Sequence, residues 1–202
     1  TLLSSTTNSF TVENTANELF LYSENSFKTA SIEKVEFNFV DANNYNAKML
    51  IVTHHSLLNA VNSLASYKNS LGLTTYIITT DQIYNQFSYG IHHPLGIRNL
   101  SKYLLENSSL KPEYLFLIGK GYELPKNNLV SDLVPSMGYP SSDNEFTAKI
   151  IDNNLAPALA TGRLPAKTPS DVLNYLEKIQ LFNNQPNEIW RKTIINITGG
   201  GN

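Results

Sequence analysis

Three short stretches gather the side chains best suited to chemistry. Residues 139–146 read "YPSSDNEF", with Asp143, Asn144 and Glu145 in a row; residues 119–123 read "GKGYE", with Lys120 between glycines; residues 160–165 read "ATGRLP", with Arg163 near the end. Clustered oxygens suit a hard cation. Calcium takes several carboxylate and carbonyl ligands, and Asp132 or Asp152 would add to Asp143 and Glu145. The same residues equally make a hydrogen-bonded turn at Ser142 and Asp143. Arg163 presents a planar fork that either fastens the acidic loop through Asp143 or Glu145 or receives an acidic ligand.

The four histidines form two adjacent pairs, His54-His55 and His92-His93. Neighbours on an extended chain face opposite sides, so one of each pair can face a site, but the spacing supplies no third metal ligand. Gly119-Lys120-Gly121 invites a phosphate-loop reading. That signature needs four residues between its first glycine and Gly-Lys-Ser/Thr, and here Gly121 and Tyr122 follow the lysine, so a tight strand-to-loop turn is the plainer account. No serine stands in a Gly-x-Ser-x-Gly elbow. The absence of cysteine from all 202 residues excludes a thiolate nucleophile, a thiolate metal site and a disulfide within the chain.

A net charge of -2 with 16% charged residues provides no basic stripe, which argues against nucleic acid as a partner. No apolar run approaches the roughly 18 residues needed to span a bilayer. Asn, Ser and Thr supply the polarity, a surface that suits an exported protein as well as a cytosolic one. The chain starts at Thr1 without a basic-then-apolar leader, as expected of a mature, trimmed or excised polypeptide.

The elements that would position these residues change character along the chain. Residues 1–46 contain the strand-like runs "ELFLY" and "SIEKVEFNFV" among polar turns, and read as a β-rich linker or the tail of an upstream domain. From 47 to 202 apolar strands alternate with amphipathic helices. "KMLIVTH", "LTTYIIT" and "KPEYLFLIG" read as buried strands. Between them fall a helix with Leu57, Leu58, Val61, Leu64, Ala65 and Leu71, capped by Ser56 and Gly72; a short helix "TDQIYNQF" capped by Thr80 or Asp81; and a helix carrying Ile97, Leu100, Tyr103, Leu104 and Leu105. A last helix opens at Thr168-Pro169 with a stripe of Val172, Leu173, Tyr175, Leu176, Ile179 and Leu181, and "KTIINIT" reads as a closing strand. This alternation predicts an α/β fold, a parallel sheet with helices on both faces.

In such sheets ligands gather at the carboxyl ends of the strands. That rule selects Thr53-His54-His55, Thr79-Thr80-Asp81, the Lys120 turn with Tyr122, and Thr161-Gly162-Arg163. Lys120, Tyr122 and Arg163 are thus the candidates for a site rim or substrate groove, Asp143, Glu145 and Asp132 for calcium. Tyr84, Phe87 and Tyr89 in "IYNQFSYG" are candidates for packing on a partner.

Five blocks taken in order carry a family likeness: "DQIYNQFSYG", "GIRNLSKYL", "PEYLFLIGKG", "SSDNEF" and "ATGRLPAKTPSDVLNYLEKI". Together they resemble the gingipain-type cysteine peptidases, family C25, and within it the sortase-like branch of the type IX secretion system of Bacteroidetes. The resemblance implies a caspase-like or flavodoxin-like three-layer sandwich of which this chain covers the first half. It also implies a secreted or outer-membrane-associated protein, exported protein substrates with carboxy-terminal sorting domains, and secretion-system components as partners. Family members cleave with a His-Gly histidine and a cysteine, both borne by the downstream half. No histidine here precedes glycine, so the dyad maps onto no residue of this chain. Two departures stand out: Lys120 where the family usually has Asp, and Asp143-Asn144 where two Asp residues are common. They leave open a noncatalytic scaffold or binding module on the same fold.

Overall fold

The computed structural model describes residues 2–6, 9–12, 28, 29, 32, 38–121, 132–150, 155–186 and 188–196. The chain divides into two units, Thr1–Glu36 and Phe37–Asn202. In the first, β1 (Leu2–Thr6) pairs antiparallel with β2 (Ser9–Val12). The sequence reading did not anticipate this pair, whose polar strands show little alternation. "ELFLY" and residues 33–37 lie outside the described residues, and residues 38–40 form no strand.

The second unit is built on four parallel strands, β3 (Met49–Thr53), β4 (Thr75–Thr79), β5 (Tyr114–Ile118) and β6 (Ala160–Leu164), in the order β4-β3-β5-β6. Helices α1 (Leu58–Ser70) and α4 (Pro169–Asn184) cover one face, and α2 (Thr80–Phe87) and α3 (Leu95–Asn107) the other. The strand period of two explains the continuous apolar runs. Leu50, Val52, Leu115 and Leu117 point to Ile83, Ile97, Leu100 and Leu104, whereas Ile51 and Ile118 point to Val61, Leu64 and Val172. Each such Leu or Ile, taken fully out of water, contributes roughly 1.5–3 kcal/mol before entropy is charged against it. The winding leaves β3 toward β4 on one side and returns to β5 on the other. The carboxyl ends of β3 and β5 therefore flank the point where the strand order reverses.

Local signals were followed with instructive shifts. The capping residue of α2 is Thr79 rather than Thr80 or Asp81: still extended at the end of β4, it accepts from the Gln82 N–H while Gln82 returns a contact to its backbone. A 3-10 turn, His55–Leu57, precedes α1, and its cap is the His54 ring, which accepts from Ser56 N–H, so Ser56 is not the cap. Along α4 the stripe is narrower than expected. Val172 is buried and Tyr175, Leu176 and Ile179 are half-buried, but Leu173 and Leu181 sit off that face and are exposed, as is Leu71 after α1. Residues 193–196 of the expected closing strand are unpaired and exposed.

Residues 40–47 join the core beside α2 and α3 through Val40, Ala42, Tyr45 and Ala47. Gln86 holds the entry to this stretch: its amide accepts from Val40 N–H at 2.8 Å and donates to Val40 O at 2.9 Å, standing in for a neighbouring strand. Among the described residues no helix is long and apolar enough to cross a membrane. Gln86→Ala leaves both Val40 groups unpaired and is expected to lower stability by about 1–2 kcal/mol. Urea titration checks this, and a loss below about 0.3 kcal/mol would mean that water replaces the clamp without cost.

Candidate functional site

The strand ends converge on Arg163. Its partner in register is Leu117, which places it on the α2/α3 face of β6. From there its guanidinium grips Asp143 with both prongs, Nε to Oδ2 at 2.8 Å and Nη2 to Oδ1 at 2.7 Å. Nη1 donates to the carbonyls of Gly119 and Val134, each at 2.8 Å, and Nη2 to that of Pro135 at 2.9 Å. An arginine has five N–H donors, and these contacts use all five. Side-chain exposures of 12% for Arg163 and 26% for Asp143 make this a mostly desolvated pair.

The Lys120 turn and the Asp143 loop therefore lie at the same end of the sheet, tied by one side chain. Of the two roles the sequence allowed Arg163, fastening the loop through Asp143 is realised, and no donor is left for an acidic ligand. Glu145 is not its partner. The Glu145 carbonyl accepts instead from Arg98 on α3, and Phe146 of the same turn is fully buried in the core. The neighbouring 133–136 stretch dictates the two glycines. A Cβ on Gly119 would stand 2.7 Å from Val134 Cγ2, and one on Gly121 2.6 Å from Ser136 Oγ, so close approach of that stretch, with φ +150° at Gly119, requires them. Lys120 is held by its backbone, N–H to Ala166 O at 2.9 Å and carbonyl to Leu133 N–H at 3.0 Å. Its side chain is half-buried at the edge of this rim, and Tyr122 lies outside the described residues.

The carboxylates proposed for calcium do not come together. Both Asp143 oxygens face Arg163, Asp132 is buried and Glu145 exposed. Among the described residues no three His, Asp or Glu side chains are placed to hold a metal ion, and Asp152 lies outside them. A guanidinium already supplies the positive charge that a cation would bring, so this set does not fit the ion.

At the ends of β3 and β4, His55 Nδ1 lies 2.8 Å from Asp81 Oδ2 on an exposed surface, and His54 stacks on His55 with ring centres 3.9 Å apart. Burial first, then the neighbouring His55, pulls the proton affinity of His54 below the usual histidine range. The aromatic trio expected to meet a partner separates. Tyr89 is 98% exposed and Phe87 half-buried, but Tyr84 is 5% exposed, packed on His92, and burial raises its hydroxyl well above the ordinary tyrosine range. Sequence spacing could not reveal the convergence on Arg163, because three of its acceptors are backbone carbonyls.

Comparison with known proteins places this geometry in a family. The model of "Peptidase family C25" matches residues 42–202. Among solved structures the chain is similar to dimeric latent PorU from Porphyromonas gingivalis, with a TM-score of 0.56 and 18% identity over 67% of this chain and 15% of that one. A second, described as a protease, gives a TM-score of 0.48 and 21% identity over 68% of this chain and 29% of that one. This chain thus spans only a small part of the structures it matches. No curated protein sequence matches it.

Arg163→Ala strands a partly buried carboxylate and three carbonyls, and its expected cost is about 3 kcal/mol, against about 1–2 kcal/mol for Asp143→Asn, which keeps one acceptor. Chemical denaturation measures both, and a loss under about 1 kcal/mol for the first would show that the fork is ornamental. Melting in EDTA and in millimolar calcium is expected to give the same midpoint, since only an ion that binds the folded state raises it. A calcium-dependent rise would require ligands other than Asp143.

Proposed function

The chain belongs to peptidase family C25, and from that premise we propose that it is the first half of the catalytic domain of a secreted, sortase-like cysteine endopeptidase or transpeptidase. One observation carries the reading: a C25 match over residues 42–202 in a chain that contains no cysteine. The nucleophile and its histidine then come from the downstream half of the same polypeptide. In such an enzyme the thiolate attacks the scissile carbonyl, the leaving amine takes a proton from the imidazole, and the acyl-enzyme passes to water or to an acceptor amine. The half described above supplies structure to that chemistry. In this reading the Arg163-braced loop and Lys120, at the carboxyl end of the four-stranded sheet, form one wall of the substrate groove.

The substrates in this reading are exported proteins with carboxy-terminal sorting domains, handled at the outer membrane or cell surface in company with secretion-system components. Resemblance to the sortase-like branch of the family supports these finer assignments, as does likeness in fold to PorU. The experiment compares the 202-residue chain with its full parent polypeptide, using a peptide substrate and a thiol-directed covalent inhibitor. The chain alone is expected to be inert and unlabelled. The parent is expected to cleave, to be labelled at one downstream cysteine, and to lose activity in step with labelling. A parent that neither cleaves nor reacts would leave a noncatalytic assembly module on the same fold.

A further inference from the structure

β6 differs from its neighbours in what it leaves out. On the face that carries α1 and α4 its residues are Ala160 and Gly162, in register with Tyr114 and Phe116 of β5. Neither backbone nor packing calls for that glycine. Its φ lies outside the left-handed region, and a Cβ there would meet nothing within 4 Å. A glycine inside a strand weakens it and often marks a place where a ligand or another backbone approaches closely. Arg163, the next residue, projects to the other face, so this surface shares no side chain with the brace.

The missing side chains leave a cavity of about 250 Å³ between the sheet and the two helices, near the amino ends of β3, β5 and β6. Met49, Tyr114, Phe116 and Tyr175 wall it, and the Phe116 and Tyr175 rings stand 6.1 Å apart, tilted by 53°. Rings inclined in this way accept a third ring edge-on or offset. The volume falls short of the roughly 300–1,000 Å³ of sites for drug-sized ligands, which limits the occupant to a single ring and a short chain. The one charge in the lining is Lys68, half-buried in the last turn of α1. Among the described residues its ammonium has neither a carboxylate nor a hydrogen-bond acceptor. Glu113, which adjoins Tyr114 in the chain, is engaged with Lys48 at 3.0 Å and does not neutralise it. Beside Lys68, the Tyr67 hydroxyl accepts from the Asn183 side chain at 2.9 Å and ties α1 to α4 at this end.

We propose that this cavity binds a small aromatic carboxylate, its ring seated against Phe116 and Tyr175 over Gly162 and its negative end on Lys68. Burial of the ring supplies the attraction, and an ammonium-to-carboxylate hydrogen bond sets the orientation. An apolar, ring-lined space whose only charge is an unneutralised cation selects for that combination and against a neutral or positive molecule. The site is complete within this chain and does not depend on the peptidase reading.

Titration of the 202-residue chain with 3-phenylpropionate, followed by heteronuclear NMR, tests the site. A Kd of about 1 mM or tighter is expected for a ligand of roughly eleven non-hydrogen atoms, with shifts centred on Lys68, Tyr114, Gly162 and Tyr175. 3-Phenylpropionamide keeps the ring without the charge and is expected to bind about tenfold more weakly. Lys68→Met is expected to erase the difference between acid and amide. Gly162→Val fills the space with a residue suited to strands, and is expected to abolish binding of both while the melting midpoint holds or rises. Equal affinity of the wild type for acid and amide would make the occupant a neutral apolar group and overturn the proposal. So would shifts centred elsewhere, the absence of saturation by about 10 mM acid, or a Lys68→Met variant that loses stability yet keeps its preference for the acid, which would mark Lys68 as a helix-end charge. If Gly162→Val fails to fold, the wild type and Lys68→Met decide.

Discussion

One guanidinium holds the working end of this sheet together. Arg163 projects from β6 and draws in the exit of β5 at Gly119, the 134–135 stretch and the Asp143 turn, with its charge balanced by a carboxylate and its remaining N–H groups by carbonyls. Removing a guanidinium from water is costly, and the cost is recovered only where every donor finds a partner. That condition is met here. It also imposes a shape, since a planar fork with five directed donors admits few arrangements of the three segments around it. The glycines at 119 and 121 are part of the same solution, because any side chain there would push the 133–136 stretch away from the arginine.

In the proposed reading, this brace bears on how an active site divided between two halves works. Catalytic groups carried by one half are useful only if the other half presents its wall within a fraction of an ångström of the productive position. Loops at strand ends are ordinarily the least rigid part of an α/β domain. Fastening two of them to a strand side chain gives these loops the stiffness of the sheet. At Lys120 the backbone bonds to Ala166 and Leu133 fix the turn through main-chain groups that any residue would supply.

Much of this was readable from residue order. The alternation of buried runs and amphipathic stripes gives three of the four parallel strands and both helical layers, because a strand covered on both faces has to be apolar throughout, whereas β6, with Thr161 and Arg163, carries no such run. Chemical grounds alone offered Arg163 either Asp143 or Glu145, and the fold selects Asp143. The carbonyls that complete the arginine's shell could not be named at all, since every residue has one and only the fold chooses which converge. Tyr84 shows the same limit from another side. In "IYNQFSYG" it looks like one of several aromatics awaiting a partner, but its burial depends on Gly96, twelve positions along, where a Cβ would come within 3.4 Å of the Tyr84 ring and 3.1 Å of Ile83. A small residue at the first turn of α3 lets that helix approach α2 and close over the ring. Nothing within the aromatic stretch itself records this.

The acidic loop illustrates why residue types alone underdetermine a site. Asp143, Glu145 and Asp132 have the composition of a calcium site, and composition is what a sequence displays. Occupancy is a competition for oxygens. An ion at Asp143 would have to displace a bidentate guanidinium whose three other bonds hold it in place, and the released arginine would remain in a mostly buried position without its counterion. Coordination would thus be charged with breaking the brace before it gained anything. The carboxylate that looked available for a metal is the one on which the geometry of the rim depends.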